Sequence, residues 1–148
     1  MTQVPQYPCS ICNTMDSIKK QTAVSGGLSL RRERLAKQLI LERLGENIEV
    51  SELARACALS RSYFSRAFKR STGLSPQEWI RSQRIARAKC LIKHTEMTLT
   101  QISHECGFCD QSHFSHIFSR TEGINPFTWR GHALKNTDNS KAFAACGF

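Results

Sequence analysis

Two stretches of this 148-residue chain set hydrogen-bonding and cationic side chains at matching offsets between phenylalanines: SYFSRAFKRSTGLSPQEW at 62–79 and SHFSHIFSRTEGINPFTW at 112–129. Read as helices, the first buries Phe64, Ala67 and Phe68 and turns Ser62, Ser65, Arg66 and Lys69 outward. The second buries Phe114, Ile117 and Phe118 and turns Gln111, Ser112, Ser115, His116 and Ser119 outward. Such faces suit recognition of a donor and acceptor pattern. A guanidinium engages guanine O6 and N7 together, so Arg66 is the leading base-reading candidate, with Ser62, Ser65, Gln111, Ser112, Ser115 and His116 beside it. Arg61, Lys69, Arg70, Ser119 and Arg120 are candidate phosphate contacts, together with the helix N-termini near Ser60 and Asp110. Gln111 lies so close to its helix start that a phosphate contact is its other assignment.

Other chemistry is weaker. Cys106, Cys109 and His113 have the spacing CxxCxxxH, but a structural zinc site needs four converging ligands, and Cys106 aligns with Cys57 of the other copy as a small hydrophobe. Cys9 and Cys12 form a CxxC with no second pair, read as solvated thiols against a redox or partial metal role. No metal or cofactor is expected. His104, His113 and His116 are spread without a matching nucleophile and acid, and no phosphate loop or metalloprotease motif occurs, so an enzyme is rejected.

Twenty-one Lys and Arg against twelve Asp and Glu give a net charge of +9 and a pI near 9.5, which points to a polyanionic partner. The charge is uneven. Residues 31–94 hold fifteen Lys and Arg against six Asp and Glu, net +9, whereas residues 95–134 hold Arg120 and Arg130 against Glu96, Glu105, Asp110 and Glu122, net −2. No apolar run approaches the roughly 18 residues that span a bilayer, and no cleavable leader is visible. The expectation is a cytoplasmic protein without a membrane partner, its seven cysteines reduced.

The elements that position these faces follow from the repeat, which extends backwards because ELARACALS at 52–60 aligns with QISHECGF at 101–108. Each copy reads as helix, turn, helix, with Cys57-Ala58-Leu59 and Cys106-Gly107-Phe108 as the turns. Thr98 with Gln101 and Ser75 with Glu78 have capping spacing, Asp110 can cap the last repeat helix, and Gly73 and Gly123 suit helix C-termini. Pro76 and Pro126 start new helices. Residues 1–30 read as a flexible arm, followed by a helix from Arg31 with Leu35, Leu39, Ile40 and Leu44 inward. The first helix-turn-helix covers about 50–73, a connector helix about 75–94, the second helix-turn-helix about 98–123, and a closing helix about 125–134 before a polar tail at 135–148. Trp79, Ile80, Gln83, Ile85, Ala88, Leu91 and Ile92 are the connector's packing candidates. At ~1.5 Å per residue the connector is about 30 Å long, near the ~34 Å turn of duplex DNA. Two reading helices held so far apart can enter successive major-groove segments.

From about Val50 to Arg130 the chain resembles the AraC/XylS-type transcriptional regulators, most strongly in ISHECGFCDQSHFSHIFSRTEGINPFTWR, around Gly107-Phe108, Phe114-Ser115, Phe118, Gly123, Pro126 and Arg130. The resemblance implies an all-α domain of about seven helices, with two helix-turn-helix subdomains on a long connector. It also implies promoter DNA as partner, activation through RNA polymerase, and Arg84 and Arg130 as structural residues. Binding as a monomer, in a bacterial cytoplasm and on the nucleoid, is the accompanying expectation. The family pattern FSRxFK is met by Arg66 and Lys69, but the second copy has His116 and Ser119 there. The competing reading is a protein-interaction module that keeps the fold without binding DNA.

Overall fold

The computed structural model describes the backbone of residues 25–144 and the side chains of residues 25–135. Cys9 and Cys12 lie outside the described residues. All the regular structure among the described residues is helical: α1 (Leu30–Glu42), α2 (Val50–Ala56), α3 (Arg61–Thr72), α4 (Pro76–His94), α5 (Leu99–Glu105), α6 (Gln111–Glu122) and α7 (Pro126–Ala144).

Local chemistry sets the helix ends. Ser29, Ser60 and Asp110 each accept a backbone N–H three residues on, which satisfies an orphan donor of the first turn. Ser75 with Glu78 and Thr98 with Gln101 close full capping boxes. Gly73 and Gly123, at φ of 82° and 79°, end α3 and α6 in the left-handed conformation that costs glycine nothing.

The helices bury two separate cores. The first joins Leu28, Ala36, Ile40 and Leu44 to Leu53, Ala54, Phe64, Phe68 and Ile80. The second joins Ile85, Ala88 and Ile92 to Ile102, Cys106, Phe108, Phe114 and Phe118. Thus α4 gives its first half to one core and its second half to the other, at a length of ~28 Å. The cores repeat one packing solution. Phe64 and Phe68 lie 5.6 Å apart, tilted at 40°, and Phe68 meets Trp79 in a T-shape at 6.0 Å and 79°; Phe114, Phe118 and Trp129 reproduce both distances and the 79° angle, with the phenylalanine pair at 67°. Each buried phenylalanine contributes on the order of 2 kcal/mol of burial free energy.

Three expectations are corrected. On α1, Leu35 is 37% exposed while Glu33 is buried, because the row Ala36, Ile40, Leu44 faces the core and Leu35 stands about 100° away from it. Glu33 tolerates burial through its ion pair with Lys37 at 2.6 Å. The arm's boundary at residue 30 is too late, since Leu28 is buried and its N–H donates to Ser71 Oγ at 2.7 Å. The closing helix passes residue 134 and continues to Ala144, because no proline or glycine follows Gly131 within it and polar composition alone does not stop a helix.

Candidate nucleic-acid interface

Burial of Phe64, Ala67 and Phe68 fixes the rotation of α3 about its axis, and the opposite side follows from 3.6-residue geometry. Arg61, Ser62, Arg66, Lys69 and Arg70 are exposed and Ser65 is half-buried. Arg66 folds along the helix surface, its Nε donating to Ser62 O at 3.4 Å. Arg70, one turn after Arg66, turns its head toward the chain before α1. A Cβ on Gly26 would stand 2.1 Å from Arg70 Nη1, so the guanidinium lies over the turn that precedes α1.

The second unit rotates α6 in the same way through Phe114 and Phe118. Gln111, Ser112, His116 and Arg120 are exposed, and Ser115 and Ser119 are half-buried. Gln111 is not free: its Oε1 accepts a short hydrogen bond from Thr100 Oγ1 on α5, so its amide is oriented by the neighbouring helix. Asp110 Oδ1 accepts the His113 N–H at 2.7 Å and puts a carboxylate at the start of α6, where the first unit has the neutral Ser60. The His113 and Phe108 rings meet in a T-shape, 5.8 Å between centroids.

The frame that relates the two faces is held by Arg84. From the middle of α4 its Nε donates to Leu44 O at 3.1 Å, Nη2 to Glu46 O at 2.7 Å, and Nη1 to Gly107 O at 2.8 Å. One side chain therefore ties the loop after α1 to the turn of the second unit. Burial lowers the Arg84 pKa from its ordinary value, yet a guanidinium remains cationic at neutral pH. Arg130 plays a smaller part of the same kind, donating from Nη2 to Met97 O at 2.6 Å. The sequence marks Arg84 as structural only through family resemblance; partners forty residues away leave no local signal.

Several other cations are engaged internally. Arg43 bridges Glu46 and Glu52 at 2.9 Å each, Lys89 pairs with Glu122 at 2.9 Å, and Arg87 stands 3.6 Å from Glu105. Arg61, Arg66, Lys69 and Arg120 form no ion pair among the described residues, and neither do the exposed Arg31, Arg32, Arg34, Arg55, Arg81 and Lys93; of the two candidate reading helices, α3 carries four such cations with Arg70, and α6 carries Arg120. Cys106 is fully buried, and burial pushes its thiol up to about 12, so it is a core side chain rather than a thiolate ligand at neutral pH. Cys109 of the same CxxC is exposed. No helix among the described residues is long and apolar enough to cross a membrane.

A family model described as a helix-turn-helix domain matches residues 53–132, more than half of the chain. The Msm operon regulatory protein of Streptococcus mutans is 34% identical over 74 residues, which is 50% of this chain and 27% of that protein. The HTH-type transcriptional activator RhaS of Escherichia coli is 31% identical over 82 residues, 55% of this chain and 30% of that one. The chain thus spans less than a third of the length of these curated relatives. Among solved structures, the DNA-binding domain of AdpA, a global transcriptional factor in complex with a target DNA, superposes with a TM-score of 0.68 at 27% identity, covering 71% of this chain and 95% of that one. With two helix-turn-helix units on one connector and this match over most of both, the chain belongs to the AraC family of DNA-binding transcription regulators rather than to any enzyme family.

Proposed function

We propose that this chain binds promoter DNA as a monomer, with α3 and α6 entering successive major-groove segments, and activates transcription through contact with RNA polymerase. The observation that carries the reading is the duplicated aromatic packing, which presents two reading helices in the same way on the two halves of α4. Arg61, Ser62, Ser65 and Arg66 supply the first set of base and phosphate contacts, with Lys69 on phosphate. Gln111, Ser112, Ser115 and His116 supply the second set, with Ser119 and Arg120 on phosphate. Arg70 is the weakest member, since Gly26 lies beneath its guanidinium. The activator role is supported by the name of the RhaS relative. Residence in a bacterial cytoplasm, on the nucleoid, is the setting this function requires.

Selection of bound sites from random DNA, followed by footprinting, tests the reading. The expected result is an enriched site with two protected segments centred about one helical turn, ~10 base pairs, apart. Transcription from a promoter carrying that site should rise when the protein is added to RNA polymerase. Failure to enrich any sequence would overturn DNA reading, and enrichment with lowered transcription would overturn activation alone.

A further inference from the structure

An offset of fifty residues superimposes the two reading helices and shows what the second has exchanged. Arg61 becomes Gln111, Arg66 becomes His116 and Lys69 becomes Ser119. The caps change in the same sense. A helix N-terminus carries about half a positive charge and attracts phosphate. Neutral Ser60 leaves that potential open on α3, whereas the Asp110 carboxylate occupies it on α6 through its 2.7 Å bond from the His113 N–H. The half of the connector that packs on the second unit restores little of the missing charge: Arg84 is spent on three carbonyls, Arg87 and Lys89 face Glu105 and Glu122, and Lys93 alone is exposed without an ion pair among the described residues.

We infer, resting on the DNA-binding reading above, that the two units divide the work: the first anchors the complex through phosphates together with the Arg66 base contact, and the second docks weakly, through base contacts with little phosphate affinity. Asp110, His116 and Ser119 set the imbalance. The second helix engages DNA only where base contacts from its outward face reward docking, so a mismatched second half-site leaves the chain held by its first unit alone. Each phosphate neutralised adds about 0.9 to the slope of log affinity against log salt, so the measured slope should reflect the first unit's contacts almost entirely.

The test uses the full chain and the selected DNA site, with affinity measured by fluorescence anisotropy between low and moderate salt. Scrambling the first half-site should lower affinity by about a hundredfold or more, and scrambling the second by about tenfold or less, at the scale of one to three mismatched contacts. The triple variant Asp110→Ser, His116→Arg, Ser119→Lys transplants the first unit's chemistry and should steepen the salt slope by about two units while tightening binding. Its circular-dichroism spectrum should match the parent, since serine also caps. Equal losses from scrambling either half-site, or an unchanged slope in the folded triple variant, would overturn the division of labour while leaving DNA binding intact. Parent protein that cannot distinguish selected from random DNA would overturn the DNA-reading function and this inference with it.

Discussion

Gly107 O accepts a hydrogen bond from Arg84 Nη1 at 2.8 Å, and the same glycine leaves no room for a side chain, because a Cβ there would lie 2.9 Å from the Arg84 guanidinium and 2.7 Å from Leu44 O. The contact that joins the two units therefore exists only with a bare backbone at this turn. Gly107 has φ of 76°, and its counterpart in the first unit is Ala58 at φ 55°, the one non-glycine residue with positive φ among the described residues.

Gly107→Ala combines left-handed strain of about 1–2 kcal/mol with displacement of a backbone carbonyl. A loss of roughly 2–4 kcal/mol is expected, read as a fall in melting temperature on the order of 10 °C for a domain of this size. Ala58→Gly should act in the opposite direction, because relief of strain slightly exceeds glycine's extra chain entropy of about 0.5–1 kcal/mol. A gain of a few tenths of a kcal/mol in unfolding free energy, read from the shift of the denaturant midpoint at unchanged m, is the expected outcome, and a loss above about 1 kcal/mol would contradict it.

Arg84→Lys keeps the charge but cannot reach three carbonyls at once, since an ammonium lacks the planar fork. Leaving partly buried carbonyls unpaired costs about 1–3 kcal/mol. The variant should melt earlier and over a broader range, with helix content retained at low temperature. Affinity for the two-part site should fall while affinity for an isolated first half-site holds. Parent-like melting would show that these hydrogen bonds do not govern coupling between the units.

Much of this architecture was legible because helices announce their ends and faces locally. Ser75, Glu78, Thr98, Gln101, Gly73 and Gly123 all act as their spacing implies, and Phe64, Phe68, Phe114 and Phe118 are all buried. What stayed hidden depends on distant partners. Glu33 takes an inward position that hydropathy assigns to Leu35, because Lys37 neutralises it. Arg70 looks like one more outward cation until Gly26 is found beneath it, and Gln111 looks free until Thr100 is found beside it.

Arg66 and Lys69 share the outward side of α3 but differ in chemistry. A guanidinium near the middle of a reading helix can make two hydrogen bonds to one guanine, worth ~1–3 kcal/mol of discrimination. A lysine ammonium acts mainly as a point charge. Arg66→Ala should therefore weaken the selected site more than random DNA, whereas Lys69→Ala should weaken both about equally and reduce the salt slope by about one unit. Equal effects of the two substitutions on both DNAs would refute the assignment.

Thiol chemistry separates the cysteines of the second turn. Only a thiolate reacts rapidly, and burial pushes the Cys106 thiol up to about 12, so almost none is ionised at pH 8 and access is blocked as well. Cys109 is exposed. Alkylation of the native protein read by fragment mass spectrometry should modify Cys109 early and Cys106 only after denaturation. Early modification of Cys106 would show that the second core opens readily.

Ile80 is buried in the first core and Ile85 in the second, so the boundary between the units falls within one turn of α4. Two residues inserted between Ser82 and Gln83 would turn everything downstream by ~200° and advance it by ~3 Å, leaving each aromatic stack intact. Arg84 would then move with the second unit and lose the Leu44 and Glu46 carbonyls, which removes the brace that fixes the angle between the reading helices. Helix content should stay near the parent value. Affinity for the two-part site should drop by the same factor that scrambling the second half-site costs the parent chain, because both changes silence the same contacts. An inserted chain that keeps full affinity for a site whose second half matters to the parent would show that α4 does not set the spacing between α3 and α6.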